Sequence, residues 1–161
     1  MISRILFICY ANTCRTPAAE KLAKYYAKKY DLNGVEFDSA GWHIAFDHAQ
    51  SETIEYLKLK GIEMNDFEPK PITCALIEKQ DLIIGMERYQ LTKIKNKFKV
   101  LKESLKGKLF TLKEFNGADK NNLNIPDPYK TEKDRYFEIL KIVERNIELL
   151  IEKVKQMNQA S

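Results

Sequence analysis

A short apolar run followed by a polar loop and a helical pattern limits the fold of this chain more than any other feature. Arg4 to Cys9 reads RILFIC, a continuous apolar segment of the kind that forms a strand buried on both faces. After the loop, Thr16-Pro17 is typical of a helix start, with Thr16 as N-cap and Pro17 at the first helical position. A strand that passes through a loop into a helix is the first half of a parallel βαβ unit.

The same alternation continues along the chain. Further strands are predicted at 34–39 (ending in Ala40-Gly41), 81–86 and 108–112, and helices at 17–30, 47–60, 88–97 and 131–156. We therefore expect an α/β fold: a single doubly wound domain over residues 1–161, with a central four-stranded parallel sheet and helices on both faces. Ligands of such sheets bind at the carboxyl ends of the strands.

Composition excludes several classes of protein. Apolar residues make up 44% of the chain and charged residues 31%, which is typical of a globular protein. The net charge of +4 is small, and we interpret it as an excess spread along the chain, so neither a nucleic-acid partner nor a membrane partner is expected. No apolar run has the length of a bilayer span, and no signal-peptide pattern is recognisable. Three cysteines are too few for a disulfide scaffold and favour a reducing cytoplasm. We also expect a monomer.

The first strand–loop–helix junction carries a cysteine and an arginine at a chemically meaningful spacing. Five residues separate Cys9 from Arg15, and the loop between them leads into a helix N-terminus, where backbone N–H groups converge on an anion. Arg15 adds a planar fork that matches phosphate oxygens. Beneath that positive focus Cys9 is expected to be a thiolate nucleophile, with the Thr16 hydroxyl donating to its sulfur. The loop lacks the Gly-Lys-Ser/Thr ending of a nucleotide-binding loop.

Four segments together resemble one known family. The segment ILFICYANTCRTPAAE is similar to the signature of the low-molecular-weight protein tyrosine phosphatases, Cys-x-Gly-Asn-x-Cys-Arg-Ser/Thr-Pro after an N-terminal strand. DSAG at 38–41, DLIIGM at 81–86 and DPY at 127–129 resemble later parts of the same family, so the likeness covers nearly the whole chain.

The resemblance implies a phosphatase that acts on a phosphorylated protein through a cysteinyl-phosphate and needs no metal or other cofactor. Cys9 would be the nucleophile, Arg15 a phosphate ligand, and Asp127 the proton donor and acceptor that both chemical steps require. The other phosphate-binding loop residues are expected to be Tyr10, Ala11, Asn12, Thr13, Cys14 and Thr16.

Supporting roles follow from the same resemblance. Asn12 would hold a left-handed backbone conformation, and Ser39 would hydrogen-bond it. Tyr129 is expected to contact the substrate at the pocket mouth. Trp42 is expected either to contact the substrate there or to be partly buried in the core. Cys14, in the same loop as Cys9, is expected to trap oxidised Cys9 as a reversible disulfide.

Some residues depart from the family pattern or were assigned no site role. Ala11 replaces the loop glycine, and Phe67 replaces a histidine, so loop geometry or support is expected to differ. Glu87 is interpreted as a solvated carboxylate at a helix start. His43 and His48 lack partners at metal-ligand spacing, so no metal site is expected.

Three other functions remain open on the sequence alone. Thr13 and the segment LFTLKEF (109–115) resemble the protein arginine phosphatases of the same family, whereas the tyrosine in DPY favours phosphotyrosine. An arsenate reductase would need two more cysteines near the third strand, where this chain has Gly85-Met86-Glu87. A catalytically inactive phosphoprotein-binding module is compatible with Ala11 but not with Cys9, Arg15 and Asp127 together.

Overall fold

A four-stranded parallel sheet organises the chain. The computed structural model describes residues 1–161 and orders the strands β2-β1-β3-β4, with every neighbouring pair parallel. The strands are β1 (Arg4–Cys9), β2 (Glu36–Gly41), β3 (Leu82–Gly85) and β4 (Leu109–Thr111). Cys9 pairs with Gly41, and Ile8 with Gly85, so three strands end at one edge of the sheet. The predicted α/β fold is confirmed.

Seven α-helices accompany the sheet: α1 (Arg15–Lys29), α2 (Ser51–Lys58), α3 (Cys74–Glu78), α4 (Arg88–Lys97), α5 (Lys102–Leu105), α6 (Leu112–Phe115) and α7 (Lys133–Gln159). A 3₁₀ turn at Lys99–Leu101 joins α4 to α5. The predicted helix at 88–97 has the predicted bounds, whereas α3, α5 and α6 were not predicted. These three helices have only four or five residues, too few for an apolar periodicity to be recognised.

The sheet is covered on both faces because β1 alternates its side chains between two apolar clusters. Ile5 and Phe7 belong to the larger cluster, which includes residues of α1, α2 and α7. Leu6 and Ile8 belong to the smaller cluster, which includes Ile94 of α4. This double coverage explains why the strand reads as a continuous apolar run. None of the helices is long and apolar enough to span a membrane.

Candidate active site

The loop between β1 and α1 closes around the sulfur of Cys9. Cys9 ends β1 and is 5% exposed. Its Sγ accepts a hydrogen bond from the backbone N–H of Asn12 at 3.2 Å and lies 2.9 Å from Thr16 Oγ1. The prediction that Thr16 caps the helix was wrong, because α1 begins at Arg15 with Cys14 in the N-cap position. The Thr16 hydroxyl faces the cysteine instead of the helix end.

Asn12 holds the turn of this loop. Its φ of 58° is left-handed, a conformation that asparagine tolerates. Its Nδ2 donates to Thr16 Oγ1 at 3.0 Å, and its Oδ1 accepts from the Lys70 backbone N–H at 3.1 Å. Since the Thr16 oxygen already accepts from Asn12, its proton is available to the Cys9 sulfur. Ser39 does not bond Asn12 as expected, because its hydroxyl donates to the Glu20 carboxylate at 2.7 Å, a stronger acceptor.

The end of β2 packs directly beneath the loop. A Cβ on Gly41 would lie 2.7 Å from Tyr10 O, 2.9 Å from Asn12 N and 3.0 Å from Ala11 C, so only glycine fits there without a backbone shift. Ala11 itself is not among the residues with positive φ. The backbone therefore does not demand glycine at position 11, where this chain departs from the family pattern.

Arg15 lies beside the cysteine with its guanidinium anchored from behind. It is 3% exposed, and its Nη1 donates to Glu87 Oε2 at 2.8 Å and to the Ile125 carbonyl at 2.6 Å. Burial alone would lower the pKa of Arg15, but the negative charges of Cys9, Glu87 and Asp127 outweigh it and raise that pKa. Glu87 is therefore not the solvated helix-start carboxylate that the sequence suggested, because Arg15 takes it up as a partner.

Three hydrogen bonds fix the far side of the site. Gln90 Oε1 accepts from the N–H groups of Met86 at 2.7 Å and Glu87 at 3.1 Å, which orients the chain where β3 ends. The Ile125 N–H donates to the Met86 carbonyl at 2.9 Å. The segment that carries Asp127 is thereby attached to the end of the central sheet.

These elements enclose a cavity of about 240 Å³ at the carboxyl edge of the sheet. Its lining comprises Cys9, Tyr10, Ala11, Thr13, Cys14, Arg15, His43, Ala45, Phe46, Asp127 and Tyr129. Asp127 is exposed at the mouth, between two prolines, and its Oδ1 accepts from the Tyr129 N–H at 3.0 Å. Asp127, more than a hundred residues away in sequence, thus shares one concave site with Cys9 and Arg15.

Residues 4–160 match the model of the family described as low molecular weight phosphotyrosine protein phosphatase. The chain belongs to this family. A putative low molecular weight protein-tyrosine-phosphatase of Klebsiella pneumoniae is 27% identical over 96% of this chain and 99% of its own length. A protein-arginine-phosphatase of Bacillus subtilis is 33% identical over 85% of this chain and 91% of its own length. A low molecular weight protein tyrosine phosphatase from T. tengcongensis superposes with a TM-score of 0.83 at 30% identity, covering 94% and 99% of the two chains.

The rim of this phosphatase cavity is aromatic. Tyr10 stacks on His43 with ring centroids 5.0 Å apart, and Phe46 lies 6.3 Å from Tyr129. Sequence reasoning missed His43 and Phe46 as lining residues. The available signal was topological, because the segment after β2 leaves the same sheet edge as the segment after β1.

Trp42 does not line the cavity, contrary to expectation. Its ring packs edge-on against Tyr10 at 5.8 Å and against Tyr89 at 6.3 Å, and it borders the smaller apolar cluster. It lies one residue beyond β2, and its side chain supports Tyr10 from behind. We therefore correct its role from substrate contact to support of the rim.

Cys14 is held inside the loop. It is 7% exposed, and burial raises the pKa of its thiol to about 11. Its carbonyl accepts from Thr53 Oγ1 at 3.0 Å, and Thr53 Oγ1 lies 2.7 Å from the hydroxyl of Tyr136 on α7. Helices α2 and α7 thus fix the start of α1 from the side opposite the cavity.

Proposed function

We propose that this protein is a protein-tyrosine phosphatase of the low-molecular-weight family, acting through a Cys9 phosphoenzyme within one domain that spans residues 1–161. The proposal rests on one observation: a single cavity has Cys9 and Arg15 at its floor, Asp127 at its mouth and aromatic rings around its rim. We further propose a cytoplasmic monomer, because three unpaired thiols suit a reducing compartment and the site is built from a single chain.

In the first step Cys9 Sγ attacks phosphorus and the bond to the tyrosine oxygen breaks. Arg15 uses Nη1 for Glu87 and Ile125, which leaves Nε and Nη2 to hold two phosphate oxygens. The N–H groups of the loop 10–16 stabilise the charge on the phosphoryl oxygens. Asp127 donates its proton to the departing phenoxide.

In the second step a water molecule attacks the cysteinyl-phosphate. Asp127, now a carboxylate, accepts the proton of that water. Phosphate leaves, and the Cys9 thiolate is stabilised by the Asn12 N–H and the Thr16 hydroxyl that already face its sulfur. No cofactor enters either step.

Cys9→Ser tests this assignment. Turnover of phosphotyrosine peptides should disappear, because serine is not ionised at neutral pH, while phosphate or vanadate should still bind the loop and Arg15. Cys74→Ser, at an exposed cysteine outside the cavity, is the matched control and should keep full activity. Appreciable turnover by Cys9→Ser would overturn the proposal.

Phosphoarginine is the second candidate substrate. Thr13 is 2% exposed and lines the cavity, and its hydroxyl offers a phosphoguanidinium group a polar partner. The Bacillus subtilis relative named as a protein-arginine-phosphatase also favours this substrate. Against it, the rings of Tyr10, Phe46 and Tyr129 suit the apolar faces of a phosphotyrosine ring.

Kinetics on the two substrates decides between them. We expect kcat/KM to be higher on phosphotyrosine peptides than on phosphoarginine peptides, and Thr13→Ile to retain or raise it. Thr13→Ser, which keeps the hydroxyl, is the control. A far higher kcat/KM on phosphoarginine that collapses in Thr13→Ile but not in Thr13→Ser would reverse the assignment.

We also propose that Cys14 protects Cys9 from irreversible oxidation. The Cys14 sulfur attacks the sulfenic acid of Cys9, which forms the disulfide and releases water. Since the pKa of Cys14 is about 11, disulfide formation should be slow at neutral pH and accelerate as the pH rises toward that value. After peroxide and then dithiothreitol, activity should recover in the wild type and much less in Cys14→Ser. Equal recovery would remove Cys14 from this role.

A further inference from the structure

One segment holds more than the whole positive excess of the chain. Residues 93–108 contain seven lysines and a single acidic residue, Glu103, which gives a formal charge of +6. The rest of the chain then carries −2, since the total is +4. The interpretation that the positive charge is spread along the chain was therefore wrong. The net charge of the whole chain hides this local concentration of lysines.

The structure folds this segment around a second cavity, of about 590 Å³. Its wall is formed by the last turns of α4, the 3₁₀ turn, α5 and the start of β4. Four of its lining residues are lysines, namely Lys95, Lys99, Lys102 and Lys106. Lys106 pairs with the exposed Glu103 at 2.9 Å, whereas the other three lysines form no ion pair.

This cavity is separate from the phosphatase site. Helix α4 starts next to Glu87 and is roughly 15 Å long. The lysine-lined cavity lies at its far end. No residue lines both cavities. A ligand bound here would therefore leave the entrance to Cys9 open.

The lining favours one class of ligand. Like charges crowded in a cleft repel one another, and a cleft of one sign with apolar walls focuses its field on a counter-ion. Leu105 and Leu109 supply such apolar walls, with Leu105 only 4% exposed. The lining has no aromatic ring to stack on a base and no arginine fork, so the recognition is by point charges.

We propose that the lysine cavity, defined by Lys95, Lys99, Lys102 and Lys106, binds a compact oligophosphate anion. Several ammonium groups placed around one concavity match a chain of adjacent phosphate groups, each of which carries its own charge. A flat membrane surface or an extended nucleic acid would reach fewer of these groups than a ligand small enough to enter. The proposal does not depend on the phosphatase activity.

Titration calorimetry with imidotriphosphate, a triphosphate analogue that resists hydrolysis, tests this site. The triple variant Lys95→Gln/Lys99→Gln/Lys102→Gln should bind it at least about tenfold more weakly than the wild type, since three charge contacts with the anion are lost. The matched control Lys58→Gln/Lys79→Gln/Lys120→Gln removes the same charge from exposed positions elsewhere and should bind like the wild type.

Binding of the analogue at the phosphatase site is measured separately, as competitive inhibition of p-nitrophenyl phosphate hydrolysis. Its inhibition constant should be unchanged in both triple variants. Equal calorimetric affinity in the two triple variants would overturn the proposal. Binding of ATP but not of imidotriphosphate would also overturn it, because the base would then be the group recognised. Lysine-dependent binding to phosphatidylserine vesicles or single-stranded DNA, but not to imidotriphosphate, would overturn it as well.

Discussion

Two of the loops that line the candidate active site are held in opposite ways. In the loop after β1, Asn12, Thr13, Arg15 and Thr16 are each 3% exposed or less. Asn12 and Thr16 form hydrogen bonds with the Cys9 sulfur and with each other, and Glu87 holds the Arg15 guanidinium. In the loop 116–130, Asp127 is exposed and its carboxylate bonds only to the backbone of Tyr129. The loop proposed to bind phosphate (the anion cradle) is therefore preorganised, whereas Asp127, the proposed proton donor, is free to adapt to the leaving group.

Gly41→Ala should distort the rigid loop after β1 and cause the largest loss of activity. The added Cβ would meet backbone atoms of Tyr10 and Asn12 at 2.7 and 2.9 Å, so the cradle must shift. A shift of roughly 1 Å costs on the order of 10²-fold in activity, and we expect kcat/KM to fall by that amount or more. Phosphate affinity should fall as well, because the displaced groups are the anion ligands.

The control for this variant is Gly34→Ala. Gly34 has a φ of +77° but nothing within 4 Å of an added Cβ, and it lies outside the active site. That variant should lower the melting temperature while kcat/KM is unchanged. Equal losses of kcat/KM in Gly41→Ala and Gly34→Ala would mean that general destabilisation, not cradle geometry, limits activity.

Asp127→Asn tests the role of the loop 116–130 in supplying the proton donor. Losing the proton donor should slow alkyl and phenyl phosphates by on the order of 10²-fold, and p-nitrophenyl phosphate much less, because a good leaving group needs little protonation. Binding of vanadate should be unchanged, since the cradle is intact. The measurement is the dependence of kcat on leaving-group pKa. A uniform loss across leaving groups would contradict the role of Asp127.

Glu87→Gln should loosen the cradle at one point. The variant removes the charge that faces Arg15 at 2.8 Å while keeping a hydrogen-bonding side chain of the same length. We expect phosphate to bind at least roughly tenfold more weakly, because a hydrogen bond to a charged group contributes about 1.5–3 kcal/mol. Glu87→Asp, which keeps the charge, should recover part of the affinity. Unchanged binding in Glu87→Gln would show that the Ile125 carbonyl alone orients Arg15.

Ala11→Gly should have the smallest effect. Because Ala11 replaces the family's loop glycine, the sequence suggested that its methyl group alters or strains the loop. Since the positive φ belongs to Asn12 and not to Ala11, we expect little change in kcat/KM and a loss of about 0.4–1 kcal/mol in the free energy of unfolding. A several-fold rise in kcat/KM would restore the strain interpretation.

Sequence reasoning reached the cradle more fully than the rest of the site. Cys9 and Arg15 lie within one loop, where spacing in sequence is close to spacing in space, so their meeting could be predicted. Asp127 was linked to them only through the family resemblance. The fold could be predicted because each strand is a buried apolar run, whereas helices of four or five residues leave no periodic signal.

What escaped prediction depends on contacts between distant elements. The pairing of Arg15 with Glu87 spans 72 residues, and neither residue type reveals which partner it chooses. Trp42 and Phe46 are both aromatic residues of one loop, yet only Phe46 reaches the cavity. That choice is set by how the chain turns after β2, which composition and spacing do not record.

The Ile125 backbone links the two loops, since its carbonyl accepts from Arg15 while its N–H donates to Met86. An anion that orders the Arg15 guanidinium should therefore also order the start of the loop 116–130, which carries Asp127. Because thermodynamic coupling is reciprocal, ordering of that loop should in turn strengthen anion binding. Occupancy of the cradle should thus be registered as slower amide hydrogen exchange at Ile125. Substrate binding and the positioning of Asp127 are thereby coupled.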